Sequence, residues 1–61
     1  MELINYLGLK VKIILTNQYY YIGKVLSADE NFIDLIDIKG NKVSLRKESI
    51  STIQEVSNNG N

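Results

Sequence analysis

Cysteine and histidine are both missing from this chain of 61 residues. Without cysteine no disulfide can staple it. Without either residue, a zinc site would have to be built from carboxylates alone, which is unusual for a structural site. No serine stands beside a base, and the adjacent acids Asp29 and Glu30 are turn residues by composition. The chain therefore offers no catalytic constellation, and no enzyme, cofactor or metal is expected. Net charge is missing too, because Lys and Arg number 7 and Asp and Glu number 7. That balance argues against a broad electrostatic grip on phosphates but leaves room for a local basic patch. No apolar run approaches the roughly 18 residues of a membrane span, and the N-terminus lacks a signal pattern. A cytoplasmic protein is expected. Many Asn, Ile and Lys with few Ala suit a phage or low-GC genome.

What is present is an ordinary hydrophobic fraction of 44%, held within residues 3–56. A chain this short buries only about 60% of its unfolded surface. With disulfides and zinc set aside, oligomerisation is the remaining route to extra stability.

"MELINYLG" predicts a short helix with Leu3 and Leu7 on one apolar stripe, Ile4 beside them and Gly8 ending it. "KVKIILT" alternates, with Val11, Ile13 and Leu15 on one face, as in a half-buried strand. Asn17 and Gln18 form a turn. "YYYIGKVLSA" is a long second strand, with Tyr19, Tyr21, Gly23 and Val25 on one face and Tyr20, Ile22, Lys24 and Leu26 on the other. A mid-strand glycine points to a sharp bend where a side chain would collide with the opposite wall. Residues 29–31 turn the chain into "FIDLIDI", where Ile33 and Leu35 share a face. Residues 39–41 form a hairpin turn in which Gly40 takes positive φ. "KVSLR" and "ISTIQEV" are the last two strands, joined by "KES". The fold is mainly β over residues 1–56: a short N-terminal helix, then five strands at spacings of about ten residues, which suggests a small barrel or sandwich. Residues 57–61 carry no apolar side chain and are expected to be a disordered polar tail.

Two spaced motifs carry a family resemblance. Leu15 lies eight residues before Gly23, and Gly23 six before Asp29, with the aromatic Tyr21 two before the glycine and "FIDL" after the aspartate. Further on, "LRKESISTI" supplies Leu45, Arg46, Ile50 and Ile53. Together they resemble the two motifs of the Sm-like (LSm/Hfq) family over residues 2–56. The resemblance implies a short N-terminal helix followed by a strongly bent five-stranded antiparallel sheet, an SH3-like barrel. It also implies ring assembly by pairing of the fourth strand with the fifth of the next subunit, in rings of about five to seven chains. Asp34 stands where the family has asparagine, Lys47 where it has glycine, and the turn before "FIDL" is one residue longer.

The resemblance further implies single-stranded RNA held near the ring pore. Phe32 would stack a base, Asp34 would face a base edge and Arg46 would build the pocket, with Lys47 adding charge. Phe32 could equally be a core residue at a strand start, and Arg46 could pair with Asp34. The tyrosines read chiefly as strand residues in core, rim or subunit contacts, with Tyr20 the most exposed. Asp29 reads as structural, accepting backbone N–H groups within its turn. A structural or protein-interaction ring without RNA is the alternative, and an SH3-like monomer docking on a larger protein a third reading.

Overall fold

The computed structural model describes residues 2–56; Met1 and the tail expected to be disordered, 57–61, lie outside them. A single 3-10 turn, Leu3–Tyr6, precedes β1 (Lys10–Leu15), β2 (Tyr20–Ala28), β3 (Phe32–Asp37) and β4 (Lys42–Arg46). A second 3-10 turn, Lys47–Ser49, leads into β5 (Ile50–Glu55). All pairings are antiparallel, and the strand order is β4-β3-β2-β1-β5.

The period-2 alternation of the sequence is the alternation of the sheet. Val11, Ile13, Val25, Ile33 and Leu35 are almost completely buried, and Leu45 and Ile50 join them in one core with Leu3. Fully burying a side chain of this size contributes about 1.5–3 kcal/mol. The residues between them, such as Lys24, Phe32, Ile36 and Ser44, face outward and are exposed.

The sheet must be curled. β4 and β5 lie at its opposite edges, yet only Lys47–Ser49 separate them in sequence. Crossing a flat five-stranded sheet would span about 19 Å. The chain from Arg46 to Ile50 reaches at most about 14 Å even when extended, and a 3-10 turn shortens it further. Curling brings Leu45 and Ile50 into the same core. β4 and β5 are not paired with each other, so the sheet is strongly bent but not closed.

The N-terminal segment departs from its expected stripe. Leu3 is buried, but Ile4 is 50% and Leu7 48% exposed. A 3-10 turn brings residues three apart onto one side, so Tyr6, not Leu7, packs beside Leu3 against the core. Gly8 does follow the turn, and its N–H donates to the Val25 carbonyl at 3.0 Å.

Gly23 is required, though the neighbour that requires it is not an opposite wall. A Cβ there would overlap the Ile36 carbonyl oxygen on the adjacent β3 and lie 2.7 Å from Leu35 Cδ1. Just beyond, the β2–β3 register slips between Val25 and Ser27, a bulge that adds to the bend. Gly40 adopts φ 90° in the β3–β4 turn, as expected. Asp37 Oδ1 fixes that turn, accepting from the N–H groups of Lys39 and Asn41, both at 2.9 Å.

Candidate nucleic-acid interface

The β3–β4 register places Phe32 opposite Arg46 and Asp34 opposite Ser44. The Lys47 N–H donates to the Asn31 carbonyl at 2.8 Å. That makes 31/47 a hydrogen-bonded pair and 32/46 a non-hydrogen-bonded one, whose Cα atoms approach to about 4.5 Å and whose side chains are close neighbours. Phe32 is 45% exposed, so it is an outward aromatic and not the core residue it could have been. Phe32, Arg46 and Lys47 line one shallow depression together with Asn31, Glu48 and Ile50.

Local sequence explains how Phe32 is presented. Asp29 Oδ1 accepts the N–H groups of Asn31 and Phe32, both at 2.8 Å, so the carboxylate closes the β2–β3 turn. The Asp29 N–H in turn donates to the Phe32 carbonyl at 2.9 Å. Phe32 is thereby held at the mouth of β3 from both sides.

Asp34 shares the outer face but not the depression. The Ser27 hydroxyl donates to its Oδ2 at 2.9 Å across the β2–β3 bulge. Ser44, opposite on β4, does most to hold its carboxyl below the usual aspartate value, followed by Ser27 and then by the positive charge of Lys42. Asp34 is therefore tied to Ser27 and stands opposite Ser44, while the register sets Arg46 against Phe32. The two serines escaped the sequence reading. The β3–β4 turn about Gly40 would have found Ser44, because fixing that turn fixes every opposite pair in the hairpin.

The tyrosines divide as strand chemistry dictates. Tyr21 is half-buried against the core, and Tyr19 meets it edge-on with ring centroids 5.4 Å apart. Lys12 Nζ lies 4.7 Å from the centroid of Tyr20. Tyr19, at 61%, is more exposed than Tyr20, at 55%, because it stands in the turn ahead of β2. No protein-family model and no curated protein sequence matches the chain. Among the described residues no group of three or more acids, histidines or cysteines is placed to hold a metal ion. No helix among them is long and apolar enough to cross a membrane.

Three aspartates set an acid limit. The Asn31 and Phe32 amides lower the Asp29 carboxyl, and the Asn41 amide foremost lowers Asp37. With Asp34 they sit below 3.8, the ordinary value. A carboxyl lowered in the folded state stabilises it above its unfolded value and loses that contribution as pH falls through the folded value. The melting temperature is expected to hold from about pH 7 to pH 5 and to fall below about pH 4. Asp37→Ala should lower it at neutral pH and flatten the acid limb. Thermal melts followed by circular dichroism across pH check both.

Proposed function

We propose that this chain is an Sm-like, ring-forming protein that binds single-stranded RNA through the Phe32–Arg46 depression. The carrying observation is the placement of an exposed aromatic ring directly opposite a guanidinium, with a lysine in the same hollow. An aromatic platform stacks any base, and each stacked base contributes about 1–3 kcal/mol. Arginine adds a planar donor set suited to phosphate or base edges. Asp34 offers acceptors only, one of them already engaged by Ser27, so it favours bases that present donors and repels nearby phosphate.

Ring assembly rests on the two sheet edges. The Asp37 N–H donates to Asn41 and the Lys47 N–H to Asn31, so the odd residues of β4 face β3. Lys42, Ser44 and Arg46 then turn their backbone groups outward. Pairing β4 with a second β4 about Ser44 would set Lys42 against Arg46, a like-charge contact. Pairing β4 with β5 of a neighbour avoids it, since β5 carries Glu55 at its edge. Such a contact is head-to-tail and closes into a ring when its rotation permits. The barrel of the family is then completed between subunits. A ring without RNA is the second reading, favoured by the acid at position 34 and by zero net charge.

Fluorescence anisotropy with short homopolymers at about 50 mM salt tests the RNA reading, because electrostatic binding is strong there. Arg46→Ala and Phe32→Ala should each abolish binding. Asp34→Asn should raise affinity for oligo-uridine several-fold. If wild type and Asp34→Asn bind no homopolymer, the ring without RNA takes its place.

A further inference from the structure

The chain is neutral, but its charges are sorted. In antiparallel pairs, opposite side chains share a face. Lys10 is opposite Lys24, Lys24 opposite Ile36, and Ile36 opposite Lys42, one continuous row across four strands on the outer face. Lys12, opposite Ile22, and Arg46, opposite Phe32, belong to the same face. Five of the 7 cations are thus on one side of the sheet. The acid among these outward positions is Asp34, whose carboxylate accepts from the Ser27 hydroxyl and also feels the charge of Lys42. Two more acids, Asp37 and Glu55, line the cleft that runs beside Lys10 and Lys24. Asp37 is committed to its turn, and Glu55 is opposite the core-facing Val11.

Directly opposed lysines destabilise a sheet. Folding gives no reason for Lys10 and Lys24 to face each other, and an anion lying between them does. We propose that the row Lys10, Lys24 and Lys42 is a phosphate-binding track for single-stranded RNA leaving the Phe32–Arg46 depression. This rests on the RNA reading above. Ile36 lies four residues beyond Phe32 on β3, so the row crosses the same face about 13 Å from the depression. The curl makes this face convex. A flat lipid surface would meet few of these lysines at once, whereas a flexible strand follows the curve. Neutralising phosphates releases counterions, with a slope of about −0.7 per contact in log affinity against log salt for single strands.

The test uses the full chain, with wild type, Arg46→Ala and the triple variant Lys10→Gln, Lys24→Gln, Lys42→Gln. Anisotropy is read with oligo-uridine of about three and about twelve nucleotides. The triple variant should keep the affinity of wild type for the short oligomer and lose the gain with length. Its salt slope on the long one should fall by about 2. Its melting temperature should not drop, since a like-charge pair is removed. An unchanged slope overturns the track. So does wild-type binding to phosphatidylserine vesicles that needs these lysines, without binding to the long oligomer. Lysine-dependent binding of the long oligomer with none of the short one keeps the track and overturns the Phe32–Arg46 pocket. Binding of neither overturns both.

Discussion

Gly23→Ala is expected to leave no folded protein at room temperature. Even one methyl group there would overlap the Ile36 carbonyl oxygen and crowd Leu35 Cδ1. Overpacking a core by extra methylenes usually costs about 1–3 kcal/mol, because side chains can shift. Here the obstacle is backbone, and Gly23 is paired with Asp37 in the β2–β3 ladder. Relief requires the two strands to part at the bend. A domain of this length has roughly 3–9 kcal/mol of stability in all, so parting them is enough to unfold it. Tyr20→Ala is the contrast. Tyr20 is 55% exposed and touches Lys12 through its ring, a contact worth about 0.5–1 kcal/mol. Circular dichroism melts should show a cooperative transition for Tyr20→Ala and none for Gly23→Ala. A Gly23→Ala melt within about two degrees of wild type would sink the close approach of β2 and β3.

The strands were legible because period 2 is a strong signal when one face is buried. Val11, Ile13, Val25, Ile33 and Leu35 alternate in sequence and in the core. The special status of Gly23 was legible too, but its obstacle was not, because the β2–β3 register turns on a bulge at Val25 and Ser27 that no residue type announces. The N-terminal stripe failed for a different reason. Over four residues, 3.6 and 3.0 per turn give nearly the same pattern, and packing against β2 decided between them. The presentation of Phe32 and Arg46 followed from two turns, one closed by Asp29 and one by Asp37 with Gly40. The serines around Asp34 stayed hidden because a hydroxyl beside an acid has meaning only after strands are placed.

Ile53→Pro is expected to convert a ring into a folded monomer. The Val56 N–H donates to the Lys10 carbonyl at 2.9 Å. Along an antiparallel strand the bonded residues alternate, so Thr52 and Gln54 also turn toward β1, while Ile53 and Glu55 turn their N–H groups out. Proline is tolerated on an edge strand when its nitrogen faces away from the ladder. At Ile53 it removes an outward donor and sets its ring in the path of an incoming β4. At Thr52, opposite Ile14, it would remove a β1–β5 bond and destabilise the fold itself. Ile53 is also half-buried against the core, so Ile53→Ala is needed to report the packing loss alone. Light scattering after size exclusion should give about five to seven chains for wild type and Ile53→Ala, and a single chain for Ile53→Pro with its β-sheet spectrum intact. Thr52→Pro should lose that spectrum. Wild type eluting as a monomer at micromolar concentration would remove the ring. An Ile53→Pro variant that keeps the full mass would show that the subunits meet somewhere other than the β5 edge, and the like-charge argument at β4 would fall with it.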